Sequence, residues 1–300
     1  MSVGQALYPV ELQERVDAYL RDLPLTTVPG TGGLQEAMRY SLLAGGKRIR
    51  PVLCLATAEA LGRDHADVLP LAAAVEMIHT YSLIHDDLPA MDDDALRRGQ
   101  PTCHVAYGED VAILAGDGLF AEAVRLALDQ QAGEPGNVLA AVSELVAAAG
   151  LGGMVGGQYL DVKVDSAGPG AQAPDPAALR HLHELKTGAL IGASVGSVLQ
   201  LAGLSGPATI PYRRFAAELG VVFQIVDDIL DVTGDEAALG KPRGTDQRHG
   251  KTTYVSVFGL DRARELARES HGKAKQALAE AEGSTDKLGR IADHVLTRQA

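Results

Sequence analysis

Between Asp86 and Asp94 the chain places five carboxylates within nine residues, in the run Asp-Asp-Leu-Pro-Ala-Met-Asp-Asp-Asp, and Arg97 and Arg98 follow closely. Crowded carboxylates raise one another's pKa unless a cation neutralises them. Oxygen-only ligands suit a hard cation, and Mg²⁺ in particular is shared between a few carboxylates and substrate phosphates. The alternative for this run alone is a solvated acidic loop. A second run, Phe223-Gln-Ile-Val-Asp-Asp-Ile-Leu-Asp231, sets Asp227 and Asp231 four apart, Asp228 and Asp231 three apart, and Gln224 one turn earlier. Helical geometry stacks such residues on neighbouring positions of one face. Val222, Ile225, Val226, Ile229 and Leu230 make the segment apolar nearly all round, so it reads as an interior helix. Three carboxylates there are costly unless paired with Lys or Arg, or bound to metal. Opposed across a cavity, the two runs would hold several divalent ions around one polyanion.

Basic residues stand beside these runs and beside the glycine-rich junctions. Gly45-Gly-Lys-Arg-Ile-Arg-Pro51 puts Lys47 and Arg50 three apart at a helix start, where free backbone N–H groups also favour anions. His79 lies seven residues before Asp86, two turns along the same helix face. Lys186-Thr187 opens an uncharged helix, and Lys241 and Lys251 sit in a glycine-rich loop after the second acidic run. Each alone reads as surface charge; their joint distribution suits an anionic substrate. There is no Gly-x-x-x-x-Gly-Lys-Ser/Thr and no strand-borne Gly-x-Gly-x-x-Gly, which argues against the common nucleotide folds. The acidic loop also lacks the spacing of an EF-hand. His85-Asp86 invites a zinc reading, but carboxylate-rich clusters point to Mg²⁺.

The elements that must position these residues are helical nearly throughout. Helical periodicity predicts helices over 9–23, 34–44, 47–62, 66–88, 110–131, 138–150, 176–203, 212–232, 260–281 and 284–298. Pro89 ends the helix that delivers Asp86, and Pro51 sits near a helix start, where it is tolerated. Gly152 to Gly157 holds four glycines in six residues, poor for a helix but able to allow close backbone approach. Residues 24–33, 165–176 and 233–252 read as loops, the last as a lid. Strand signals are weak, with aromatics at 4%. No repeat and no linker divides the chain, so the expectation is all-α, with residues 1–300 a single domain.

Composition sets outer limits. Hydrophobic residues make up 46% and charged ones 22%, ordinary for a soluble globular protein. A net charge of −12 argues against nucleic acid or an anionic membrane as partner, so any anion site is local. Cys54 and Cys103 show no metal-type spacing and suit a reducing, cytoplasmic setting. The stretch 187–212 carries no charge until Arg213, but its Gly, Ser, Ala and Gln200 favour a helix buried in a bundle over a membrane span. No signal peptide or lipidation signal is expected, and no stable membrane anchor.

These motifs resemble the trans-type polyprenyl diphosphate synthases, and among them the bacterial farnesyl diphosphate synthases. Asp86-Asp-x-x-x-x-Asp92 with Arg97-Arg98 is similar to the family's first aspartate-rich motif in its longer form, and Phe223-Gln-x-x-Asp-Asp-x-x-Asp231 to its second. Gly-Gly-Lys47-x-x-Arg50-Pro, His79, Gly-Gln158, Lys186-Thr187 and Gly-Lys241-Pro…Asp246…Gly-Lys251-Thr-Thr-Tyr follow in family order. The resemblance implies about ten core helices around a deep central cavity, a homodimer, and Mg²⁺-dependent head-to-tail condensation of isopentenyl diphosphate with an allylic diphosphate. It implies about three Mg²⁺ ions, with Mn²⁺ able to substitute. Asp86, Asp92 and Asp227 would be the main ligands, and Asp87, Asp228 and Asp231 direct or water-mediated ones. Arg97, Lys186 and Lys241, with Lys251, would grip the allylic diphosphate. Lys47, Arg50, His79 and Arg98 would hold isopentenyl diphosphate. Thr187 and Gln224 would turn oxygens to the developing cation, and the released diphosphate would take the proton.

The resemblance also places a floor at Tyr81, where an aromatic favours the fifteen-carbon farnesyl product and a smaller residue gives longer ones such as geranylgeranyl diphosphate. Tyr81 lies five residues before Asp86, roughly 7.5 Å along the helix, while Ser82, four residues before, has the better facing angle. Three other readings compete. A non-catalytic scaffold subunit of a heteromeric synthase would be expected to lose one motif. A terpene cyclase would replace the second aspartate run with Asn/Asp-x-x-Ser/Thr-x-x-x-Glu. A Ca²⁺ module would leave the basic residues unexplained.

Overall fold

Apolar periodicity is realised as helices, and the most apolar of them sit at the centre. The computed structural model describes residues 8–165, 176–234 and 252–298. Helix α1 (Val10–Asp22) buries Leu12, Val16 and Leu20, one residue per turn. Helices α2 (Gly32–Leu42) and α3 (Ile49–Ala60) follow; α3 is entered through Arg48 in the left-handed conformation and is buried on almost every side. A short 3₁₀ turn, His65–Val68, is capped by the Asp64 side chain accepting from the Ala66 N–H. It leads into α4 (Leu69–Asp86), with Pro70 in the first turn, where its missing N–H costs nothing. From Pro70 to Ile78 every residue of α4 is buried, and the helix frees a face only towards its C-terminus.

Helices α5 (Cys103–Tyr107) and α6 (Glu109–Asp129) come next, with α6 packed along α4. Helix α7 (Pro135–Ala149) packs on α10 (Ala189–Leu201). The uncharged stretch expected to be a buried bundle helix is one: Leu190, Ile191, Val195, Val198 and Leu199 of α10 lie in the core. Helix α8 (Met154–Asp165) begins inside the glycine run, and α9 (Pro176–His183) leads into α10 through a π turn, Glu184–Gly188. The long α11 (Ile210–Thr233) carries the second acidic run. Helices α12 (Tyr254–Phe258), α13 (Leu260–Ala279) and α14 (Asp286–Thr297) complete the described residues, α13 packing along α11 and α14 reaching α3 and α11. Most of the two expected loops, at 166–175 and 235–251, lies outside the described residues.

Three features depart from the periodicity reading. Arg97 is in a two-residue strand, Leu96–Arg97, paired antiparallel with Gln100–Pro101, too short to show alternation. The segment around Lys186 is a π turn, an insertion within a helix that periodicity does not mark. The glycine run continues as helix because close packing requires it. A Cβ on Gly157 would come within 2.3 Å of the Lys186 backbone nitrogen, and one on Gly220 within 3.0 Å of the Gly188 Cα. The π turn that carries Lys186 and Thr187 is thus gripped between α8 and α11.

Gly157→Ala should therefore cost about 1–3 kcal/mol, because the obstacle is backbone and cannot swing away. Gly192, in α10, has nothing within 4 Å of an added Cβ. Gly192→Ala should stabilise by roughly 0.5–1 kcal/mol through helix propensity. Urea unfolding of the two variants measures both; a neutral Gly157→Ala would show that the π turn is not held by that contact.

Candidate active site

The exposed face of α4 near its C-terminus opens on a cavity of about 860 Å³. His79, Tyr81, Ser82, His85 and Asp86 line it from α4, Gln158 and Tyr159 from α8, Lys186 and Thr187 from the π turn, and Phe223 and Asp227 from α11. Arg50 enters from α3, and Arg97 and Arg98 from the hairpin. Leu83, Leu88, Met91, Ile113, Met154, Val155 and Val162 supply apolar wall. Two carboxylates and four cations thus share one recess with an apolar surface able to take a hydrocarbon.

Most of these charges are held by partners. Arg97 Nε donates to both oxygens of Asp87 at 2.8 and 2.9 Å, and its Nη2 lies 2.6 Å from Asp87 Oδ1. Lys186 Nζ donates to Asp161 Oδ2 at 2.5 Å. Arg98 donates to the Gly45 carbonyl and lies over Gly46, whose φ of 110° and missing Cβ leave room for the guanidinium. Arg50 Nη1 lies 3.3 Å from His79 Nε2, and the Arg50 guanidinium stands 5.7 Å from the Phe223 ring centroid. Thr187 Oγ1 donates to Gln224 Oε1 at 2.9 Å; Gln224 Nε2 donates to Asp228 Oδ1 at 2.8 Å; the Tyr254 N–H donates to Asp228 Oδ2 at 2.6 Å.

Burial sets the protonation of the key groups. It pushes the Asp86 carboxyl up to about 6; Lys186 and Arg97 pull the other way, while Asp92 and Asp87 add to the rise. Burial, with Arg50 and Arg98 nearby, holds His79 well below the ordinary histidine range, so it is neutral at pH 7. A neutral His79 can give or take a hydrogen bond but adds no charge for an anion. Arg50 is drawn down by burial to about 10 and stays charged at neutral pH. Partial burial and Arg298 lower the Lys47 ammonium.

The sequence expectations divide accordingly. Asp86, Asp227, Arg97, Lys186, Thr187, Arg50, His79, Arg98, Tyr81 and Ser82 line one cavity. Asp92 is not on the cavity wall but is tied to Asp86, its N–H donating to the Asp86 carbonyl. Four expectations need correction. Asp227, Asp228 and Asp231 are not presented together on one face of an interior helix: the Asp227 side chain is 57% exposed, whereas Asp228 and Asp231 are 1% and 4% exposed. Successive helical residues diverge by 100°, and Asp228 turns to cap α12. Gln224 is outside the cavity wall and its oxygen accepts from Thr187, so of this pair only Thr187 is on the cavity wall. Asp87 is buried as the counter-ion of Arg97. Lys47 is exposed beyond the cavity wall, its carbonyl accepting from the Tyr8 hydroxyl. Lys241 and Lys251 lie outside the described residues.

Two residues were missed. Asp161, the partner of Lys186, stands one turn after Gln158, and that spacing was its only signal. Arg298 donates to Asp227 Oδ1 at 2.9 Å and to the Phe223 carbonyl at 3.0 Å, and its guanidinium stacks over the Phe223 ring at 4.1 Å. No local pattern could link position 298 to 227.

The donor set suits a hard divalent cation. Asp86 is half-buried, with a raised pKa, which a cation would reverse. Among the described residues no three acidic, histidine or cysteine groups lie close enough to hold a metal by themselves. Phosphate oxygens would complete the coordination, as Mg²⁺ commonly requires.

Comparison with known proteins agrees with the all-α fold. The family described as "Polyprenyl synthetase" matches residues 32–292. The chain is 43% identical to the farnesyl diphosphate synthase of Escherichia coli over 294 residues, covering 96% of this chain and 95% of that one. It is 48% identical to the chloroplastic geranylgeranyl pyrophosphate synthase of Capsicum annuum over 246 residues, covering 82% of this chain and 66% of the plant protein. A crystal structure of geranyltransferase from Helicobacter pylori, complexed with magnesium and isoprenyl diphosphate, superposes with a TM-score of 0.84 at 32% identity, covering 99% of this chain and 97% of that one.

The Asp86 shift has a consequence for stability. Its pKa in the folded protein, about 6, lies above the ordinary 3.8, so its stabilising contribution is full below 3.8 and lost as pH rises through about 6. Without divalent ions, Asp86→Asn should match the parent near pH 4 and melt several degrees higher near pH 8. Thermal melts across that range check this; a variant less stable at pH 8 would show that Asp86 is compensated.

Proposed function

The chain belongs to the polyprenyl synthetase family, and on that premise we propose that it is a prenyltransferase condensing isopentenyl diphosphate head-to-tail with dimethylallyl and then geranyl diphosphate to give farnesyl diphosphate. The observation that carries this reading is the joint lining of one cavity by Asp86, Asp227, Arg50, Arg97, Arg98 and Lys186 beside an apolar wall. Asp86, Asp92 and Asp227 would hold Mg²⁺ together with the allylic diphosphate. Bound there, about three Mg²⁺ ions supply Lewis-acid stabilisation of the leaving diphosphate.

Arg97 and Lys186, each oriented by a carboxylate behind it, donate to the allylic diphosphate, where negative charge grows as the C–O bond breaks. Thr187, its proton committed to Gln224, turns oxygen lone pairs to the carbon that becomes cationic. Arg50 and Arg98, with Lys47, bind the diphosphate of the second substrate, and neutral His79 contributes a hydrogen bond. The apolar wall keeps water from the cation. Asp87 and Asp228 act as supports for Arg97 and Gln224 in this account.

Tyr81 stands on the cavity wall as the floor for the growing chain, with Ser82 beside it, which favours the farnesyl product. A geranylgeranyl product is the second reading, favoured by the likeness to the Capsicum annuum enzyme. Residues 1–300 work as one domain, and a second copy covers exposed apolar side chains that are not on the cavity wall, Leu114 and Leu128 of α6 and Leu139 of α7, giving a homodimer.

Incubation with isopentenyl diphosphate, dimethylallyl diphosphate and Mg²⁺ tests the reading, with product identified by chromatography. Farnesyl diphosphate is expected, and no condensation by the protein alone would favour a scaffold subunit. Asp86→Ala and Asp227→Ala should each lower kcat by at least about a hundredfold. Tyr81→Ala should lengthen the product; an unaltered product would remove Tyr81 as the floor.

A further inference from the structure

Tyr81 does not stand alone. Its ring meets His85 edge-on, with centroids 5.7 Å apart and planes at 76°, and meets Phe120 in the same way at 5.4 Å and 82°. These are the preferred edge-to-face arrangements of aromatic rings. The register behind the stack is simple. Tyr81 and His85 are one turn apart on α4, and Gly116 and Phe120 are one turn apart on α6, so each pair shares a helix face. His85 lies against Gly116, where a Cβ would come within 2.1 Å of Nε2, and Tyr81 lies against Phe120.

The two ends of the stack are anchored differently. His85 Nε2 is 3.0 Å from the Ile113 carbonyl, which can only accept, so that nitrogen carries the proton and the ring is fixed to α6. Phe120 is half-buried and packed against the core, and it is not among the residues that line the cavity. Tyr81 and His85 both line it. Phe120 therefore contacts the Tyr81 ring from α6 without itself lining the cavity.

We infer that Phe120 is a specificity-determining positioning residue, which sets product length by holding, together with His85, the orientation of the Tyr81 ring on the cavity wall. This rests on the reading of Tyr81 as the product floor. With Phe120 truncated, Tyr81 keeps its bulk but loses one of the two rings that fix its orientation, and a longer chain can push it aside. Phe120→Tyr retains an aromatic edge and retains that orientation.

The test is the product-length distribution made by the full chain from dimethylallyl diphosphate and excess isopentenyl diphosphate with Mg²⁺. Phe120→Ala should shift the main product by at least one five-carbon unit although Tyr81 is present, and Phe120→Tyr should keep the parental product. The double variant Tyr81→Ala/Phe120→Ala should give the distribution of Tyr81→Ala alone, because both act through one ring. If Phe120→Ala does not fold by circular dichroism, Phe120→Leu, which fills the space without an aromatic edge, is read by the same criterion. Parental products from the folded Phe120 variant while Tyr81→Ala lengthens them would overturn the inference and leave the prenyltransferase reading standing. A double variant longer than Tyr81→Ala would also overturn it, since Phe120 would then act independently of Tyr81. No condensation by the parent would overturn the underlying reading itself.

Discussion

The cavity depends on one arrangement: charges of both signs border it, and they are kept from collapsing onto one another by partners that hold them from behind or from the rim. Asp87 holds Arg97, Asp161 holds Lys186, and Arg298 holds Asp227. Left free, long cationic side chains beside Asp86 and Asp227 would pair with them and fill the recess. Asp86 is the residue this arrangement does not fully satisfy, as burial raises its pKa despite Lys186 and Arg97. A desolvated carboxylate without full compensation destabilises the empty protein and favours whatever cation later neutralises it.

The helices exist to hold that arrangement in place. α4 is buried all round through its first half, so its C-terminal face is fixed where the acidic run begins. α11 carries Asp227 outward to the cavity while Asp228, one residue on, ties the same turn to Tyr254 of α12. Between them the π turn offers Lys186 and Thr187, and it can do so because Gly157 and Gly220 let backbone meet backbone on both sides. Rigid elements positioned by core packing make a more exact site than loops can.

Much of this was legible in the chain. Acidic runs, basic junctions and helical periodicity gave the all-α class and the charged residues on the cavity wall, since they are properties of local sequence. What escaped was decided by contact between distant segments. Whether Asp227 or Asp228 faces the cavity depends on where α12 docks. The role of Gln224 depends on which of its neighbours takes its hydrogen bonds. Arg298 reaches Asp227 only because α14 returns to α11. Phe120 has no chemical signature and acquires meaning only opposite Tyr81. The hairpin at Leu96–Pro101 and the π turn at Glu184–Gly188 are too short for any period to show.

The central claim is that Asp86 and Asp227 form two parts of one metal site that a diphosphate completes. Mn²⁺ titration followed by electron paramagnetic resonance, with and without inorganic diphosphate, tests it most directly. The account predicts weak binding to the protein alone, much tighter binding of several ions when diphosphate is present, and loss of that tightening in Asp86→Ala or Asp227→Ala. Equally tight binding without diphosphate, or tightening that survives both substitutions, would contradict it.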